Sequence, residues 1–491
     1  MTVAQVQEPP LAVLRNGKFL ALWIAQVVTQ VGANMVLYGL TVEVFSLSHN
    51  STSISLLILS FLVPAVIFGA IAGVYVDRLD RRLILVVANA GRAVLFLLLL
   101  VIPPDVITIC IVTALVSTLT TFFGPAETAM IPVIVPRQQM LAANSLFVIT
   151  LQASFFIGFA LLGPLAVNIS STQALLVIVG VSYFIGAGLC WLLPSHNPRI
   201  GGANPTEALG EAGSAVRTTF GQLADGVRFI LNNRNVFWPL TYLAVTASLI
   251  GVLGVLGPGF ATHVLGLSEK DFVVVVLPLG VGLMFGILVL NVYGHLFSRR
   301  RGIEGGLVAL GFSLIALSFA QPVTSRLSLA VPLLLIVIVV AFIAGIAYAF
   351  VAVPAQTQLQ EELPPDVRGR VFGVLNMLVS IASFVPIIIV GPIADAVGTS
   401  WVVAASAIVV LTVAAGSIGR AHPTVEAPVS GAIVDAMDPV ALSGRSLTTP
   451  VTLHYLDEGT DAPAVPLVSV VRGRHGAADD PEPPTSSPAH G

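Results

Sequence analysis

The chain has few charges, and those lying in or between apolar stretches are the ones with chemistry to do. Asp77, Arg78, Asp80, Arg81 and Arg82 fall within one turn of the stretch GAIAGVYVDRLDRRLILVVANAGR, Gly69 to Arg92. The runs on either side are apolar enough to enter a bilayer. A carboxylate set among arginines can cap a helix end, pair with a cation, or hold two elements together by charge. The turn is also what a short loop on the basic side of a membrane looks like. Arg92 lies ten residues beyond Arg82, about 15 Å further along a helix. That places it near mid-membrane, where a charge is expensive and marks a substrate path, a proton path or a buried ion pair. Glu127 is a second ionisable residue in an apolar run. It is the leading candidate for a proton site, with Arg92 as its partner or as the contact for an anionic substrate group. Gln26, Gln30 and Asn34 recur at i, i+4 and i+8, which makes one polar stripe on a helix. Bare amides in lipid are costly, so the stripe faces the bundle interior or a water-filled path.

Composition names the solvent. Of 491 residues, 56% are hydrophobic and 10% charged, and the mean hydropathy is +0.95. An ordinary soluble domain is about 25% charged. No water-soluble core could hide this much apolar surface, so lipid surrounds most of the chain. The apolar runs reach the roughly 20 residues a spanning helix needs, without strand alternation. An all-α integral membrane protein follows, rather than a barrel. Cys110 and Cys190 sit inside apolar runs and read as packing residues, with no disulfide framework or metal-ligand spacing. No nucleophile, zinc or nucleotide-loop motif occurs, so an enzyme is not indicated and no cofactor is needed. Without a nucleotide loop, work must be driven by an ion gradient or by the substrate itself. The basic residues are spread over loops, which argues against nucleic-acid binding.

Twelve apolar segments are expected, at about 19–44, 53–76, 83–102, 106–130, 145–167, 172–193, 236–262, 272–297, 303–321, 327–353, 370–396 and 399–419. Ser and Thr suit the start of the second segment. Pro103–Pro104 stops the third, and Pro132 and Pro136 mark the loop after the fourth. Gly69 and Gly73 form a small-xxx-small pair that lets another helix come close. The expected domains are a tail at 1–18, a six-helix bundle at 19–193, a central loop at 194–235, a second bundle at 236–419 and a tail at 420–491. The first apolar run is too long for a cleaved signal and is expected to stay as an anchor. In the central loop, Val216, Phe220, Leu223, Val227 and Ile230 make an amphipathic helix suited to a membrane surface. The last tail carries four Arg against nine Asp and Glu and ten of the 32 prolines, a composition of disorder. With both termini inside, cytoplasmic segments hold 19 of the 22 Lys and Arg, which favours that topology over its mirror.

The chain repeats itself. PAETAMIPVIVP at 125–136 matches PAQTQLQEELPP at 354–365. Ala153-Ser154-Phe155 recurs as Ala382-Ser383-Phe384, and Gly163-Pro164 as Gly391-Pro392. Both Gly-Pro pairs are candidate helix kinks, and a kink is also a plain packing device. The charged turn has a worn copy: Val74-Tyr75 and Arg81-Arg82 correspond to Val292-Tyr293 and Arg299-Arg300, with His295 in the place of Asp77.

The pattern Gly73, Asp77, Arg78, Arg81, Arg82 resembles the signature between the second and third helices of the major facilitator superfamily. A six-helix unit used twice in parallel is that superfamily's architecture. The phrases RNGKFLALWIAQVVTQVG, GPAETAMIPVIVPRQQMLAANSL and PPDVRGRVFGVLNM are similar to its branch of macrolide efflux pumps and enterobactin-type siderophore exporters. The resemblance spans about residues 10–420. It implies a monomeric, multi-pass secondary transporter of the cell membrane that exports a small amphipathic compound against protons by alternating access.

It also implies roles for residues. Asp77 would contact the start of the eleventh helix, near Arg370, and Arg78 or Arg82 would reach Glu127 on the fourth. Gly158 and Gly163-Pro164 match part of the exporters' fifth-helix motif, but Leu165-Ala166-Val167-Asn168 lack its paired glycines. Where many relatives have an acid in the first helix, this chain has Gly32-Ala33-Asn34. Two other readings fit: a transporter of lysophospholipid-like molecules with the same fold, and a non-transporting sensor or scaffold acting through the acidic tail.

Overall fold

The computed structural model describes residues 10–76, 78–195, 234–294, 298–320, 333–362 and 384–419. The helices, in chain order, are α1 (Gly17–Ser48), α2 (Ser51–Val76), α3 (Arg81–Leu98), α4 (Val106–Ile134), α5 (Arg137–Ile169) and α6 (Thr172–Trp191). Then come α7 (Arg234–His263), α8 (Val273–Tyr293), α9 (Arg299–Ser318), α10 (Leu333–Glu362), α11 (Phe384–Val397) and α12 (Thr399–Ile418). Among the described residues, ten of these are long and apolar enough to cross a membrane. The other two are α3, which opens on two arginines, and α11, whose described part is shorter. The exposed side chains are apolar along the helices, as at Ile67, Val94, Ile107, Ile169 and Ile408. A surface of that kind fits hydrocarbon, where every backbone polar group must bond within its own helix.

That constraint explains where helices run past their expected ends. α4 continues through Pro125 and Pro132 to Ile134, and α10 through Pro354 to Glu362. Pro132 therefore lies inside a helix rather than marking the loop. One proline removes one hydrogen bond, whereas ending the helix in lipid would strip several. α3 does stop early, at Leu98, and turns at 99–102 ahead of Pro103–Pro104. α8 is preceded by a 3-10 turn, Glu269–Phe272.

The helix starts are built as the local sequence dictates. Asn16 caps α1, its Oδ1 accepting from the N–H groups of Lys18 and Phe19. Its Nδ2 donates to the Ile134 carbonyl at 2.6 Å, which ties the start of α1 to the end of α4. Asp80, Asp105 and Ser298 cap α3, α4 and α9 in the same way, each satisfying otherwise orphaned N–H groups.

One set of packings recurs. α1 lies on α6, α3 on α6 and on α4, and α2 on α4; in the same order α7 lies on α12, α9 on α12 and on α10, and α8 on α10. Among the described residues, contacts between α1–α6 and α7–α12 are sparser and involve α1 and α2 against α7, α5 against α8, and α2 against α11. The starts of α1, α3 and α9 share one end of the molecule with Lys18, Arg81, Arg82 and Arg299, here called the basic end. The amphipathic helix expected at 216–230, the start of the eleventh segment and the acidic tail lie outside the described residues.

Candidate functional site

The site is built around Arg92 on α3. Arg92 is 4% exposed. Nη2 donates to Asn89 Oδ1 at 2.5 Å, Nε to the Ala88 carbonyl at 3.2 Å, and Nη1 to Thr120 Oγ1 at 3.5 Å. Aromatic faces cover it: the guanidinium carbon lies 4.4 Å from the ring centre of Phe123 on α4 and 4.8 Å from that of Tyr183 on α6. Desolvated cation–π contacts of this kind are worth roughly 2 kcal/mol each. Asn89 is fully buried, and its amide nitrogen also reaches Cys190 Sγ on α6 at 3.6 Å.

Glu127 on α4 sits within electrostatic range of Arg92. It is buried, and its Oε1 has no hydrogen-bond partner. Among the described residues Arg92 and Glu127 do not approach to the 4.0 Å of an ion pair. An unpartnered buried carboxylate oxygen normally costs a few kcal/mol. Gln26 on α1 is buried as well, and its Oε1 likewise lacks a partner. Gln30 and Asn34 are half-buried, and the Asn34 amide donates to the Gln30 carbonyl at 2.8 Å. The amide stripe is thus split, with one member sealed within the helices and two nearer their edge.

Asp77 lies outside the described residues, and Arg78 is half-buried. Arg81 reaches α4, but at the Ala129 carbonyl, 2.9 Å away. Arg82 does not extend to Glu127; it lies over Trp191 at the end of α6, 4.5 Å from the ring centre. Asp80 accepts from the Arg82 N–H and, at 2.5 Å, from Ser195 Oγ. Among the described residues, no atom lies within 4 Å of a Cβ built on Gly69 or Gly73.

The glycines of α5 do admit a close neighbour. A Cβ on Gly158 would meet Val31 O at 2.5 Å, and one on Gly163 would meet Tyr38 Cβ at 2.8 Å, both on α1. Between them α5 widens into a π-helical stretch, Phe156–Leu162, and the Gly163 N–H reaches back to Gly158 O. Pro164 follows and has no N–H to donate, which favours a local break in the ordinary ladder. Gly163 and Pro164 are buried; in the second copy Gly391 is buried and Pro392 exposed.

Sequence reasoning missed Asn89, Phe123 and Tyr183. Two of them carried a signal: Asn89 is one helical turn before Arg92, and Phe123 one turn before Glu127, so each shares a face with its charge. Tyr183 comes from another helix and carried none.

The Major Facilitator Superfamily model matches residues 22–387. The multidrug efflux pump Tap of Mycolicibacterium fortuitum is 25% identical over 73% of this chain and 86% of its own length. Macrolide efflux protein A of Streptococcus pyogenes is 21% identical over 78% of this chain and 91% of its own. Among solved structures, the nucleoside transporter NupG superposes with a TM-score of 0.62 at 13% identity, over 82% of this chain and 98% of that one; it shows the fold alone. The chain belongs to the Major Facilitator Superfamily and is a multi-pass transporter of the cell membrane.

Proposed function

We propose that this transporter exports a small amphipathic compound by alternating access and is driven by protons. The observation that carries the reading is Glu127, a buried carboxyl with an unpartnered oxygen, near but not paired with the buried Arg92. Intramembrane acids mark ion and proton paths. A carboxyl whose distance to Arg92 and access to water change between two states changes its proton affinity between them. The efflux pumps among the relatives support export. In this reading twelve spans form two six-helix bundles, 19–193 and 236–419, and both termini lie in the cytoplasm with the basic end. Asp77 and the arginines of the charged turn close that end when the cavity faces outward, Gln30 and Asn34 line the path, and the Gly-Pro pairs bend their helices. A single copy of the chain does the work.

The test is dye efflux from energised cells, with and without a protonophore, for wild type, Asp77→Asn and Glu127→Gln. Protonophore-sensitive efflux that disappears in Glu127→Gln supports the coupling role, and its loss in Asp77→Asn supports the gate. Undiminished efflux in both would overturn these residue roles. Efflux indifferent to the protonophore would overturn proton coupling.

A further inference from the structure

At the end opposite the basic one, α2 and α11 are joined by a charge. Helix α2 begins at Ser51, and its own cap satisfies one donor: Asn50 Oδ1 accepts from the Ser53 N–H at 2.8 Å. The two donors before it, on Ser51 and Thr52, are satisfied from the other set of helices. Asp395 Oδ1 accepts from the Ser51 N–H at 2.7 Å, and Oδ2 accepts from the Thr52 N–H at 2.9 Å and from Thr52 Oγ1 at 2.5 Å. One turn on, Ser55 Oγ donates to the Ile387 carbonyl at 2.7 Å. Gly391 lets the helices come this close, since a Cβ there would lie 2.4 Å from Ser55 Oγ and 2.7 Å from Ser51 O.

Asp395 is misplaced for its own helix. It stands in the last turn of α11, where the exposed carbonyls repel an anion. The N-terminus of α2 reverses that sign, with free N–H groups and the positive end of a dipole. The carboxylate is therefore better accommodated while α2 is docked than when it is not. The same end is shut by a second contact. Tyr38 of α1 and Phe272, just before α8, are fully buried and stacked, with ring centres 4.6 Å apart. The Tyr38 hydroxyl donates to the Lys270 carbonyl.

We propose that Asp395 is a latch. It holds α11 to the N-terminus of α2 and keeps this end closed until the two sets of helices part here in the transport cycle. The proposal rests on the alternating-access reading above.

The experiment is a pair of spin labels at Leu47 and Trp401, both exposed and at this end, in a chain with Cys110 and Cys190 replaced by alanine. Their distance distribution reads closed and open populations without any substrate. Asp395→Asn is expected to raise the open-to-closed ratio by roughly fivefold, the size of a charge-assisted helix cap. Thr52→Pro removes both donors to Oδ2 while proline fits the first turn of a helix, so it should open this end even if Asp395→Asn fails to fold. Thr52→Ala keeps the charge and both backbone bonds, and should shift the ratio less than either. Two wild-type populations whose ratio ignores both Asp395→Asn and Thr52→Pro would overturn the latch alone. A single distance in every variant and condition would overturn the latch together with alternating access.

Discussion

α3 and α9 begin alike and differ in depth. Arg81 ties the start of α3 to the end of α4 at Ala129, and Arg299 ties the start of α9 to Glu361 at the end of α10. Arg82 rests on Trp191 at the end of α6, while Arg300 donates to the Ser417 and Ile418 carbonyls at the end of α12. Deeper in, the likeness stops. The register that aligns the two arginine pairs carries Asn89 and Arg92 onto Leu307 and Leu310, both buried. The register that aligns PAET with PAQT carries Glu127 onto Gln356. Cations at helix ends are needed by both copies, because they answer exposed carbonyls that every helix has. The buried charges are needed by one copy only. Its twin makes the same helix pairings without them, so their cost is not a condition of the fold.

The comparison can be broken by making the first copy like the second. Glu127→Gln, which installs the residue found in the twin, should reduce protonophore-sensitive efflux to background while the protein still inserts and elutes as wild type; a loss of folded protein would make Glu127 structural. Arg92→Leu should cost about 3 kcal/mol, because it strands Asn89 and Glu127 without their cation. A melting curve in detergent would show it, and an unshifted midpoint would mean the cluster carries no stability.

The packing offers a milder comparison. In the second copy a Cβ on Gly282 would fall 2.0 Å from Phe342 O, whereas none on Gly73 meets a described atom. Gly282→Ala should therefore destabilise by about 1–3 kcal/mol, and Gly73→Ala, judged against its described neighbours, by less. Equal melting points for the two variants would contradict that assignment.

The smallest effect is expected at the exposed Arg299–Glu361 pair. The hydrogen bond from Arg299, and its charge, hold the Glu361 carboxyl below the ordinary carboxylate range. A depressed value stabilises the folded state above the unfolded-state pKa, and that contribution is lost as pH falls through the folded one. Wild type and Glu361→Gln should thus differ slightly at neutral pH and converge in acid. A difference that grew on acidification would reverse the sign of the argument.

Much of the site was legible because a membrane makes charges conspicuous. Arg92 and Glu127 could be picked out by type and position alone. Their partners could not. Local sequence placed Asn89 and Phe123 on the right faces, but nothing in it said that Tyr183 of α6 would close over Arg92. Of the two arginines expected to reach Glu127, Arg82 lies over Trp191 instead.

The sequence by itself determined the solvent, the helical class, the repeat, the family and the residues too expensive to be idle. These follow from composition, from the length of apolar runs and from motifs local in the chain. The tertiary structure decided the pairings: Arg92 between two rings, Glu127 left with a bare oxygen, α5 widened against α1, and Asp395 set on a helix that begins 344 residues earlier. Contacts of that kind depend on the distance and angle between helices. Packing sets those, and no single helix encodes them.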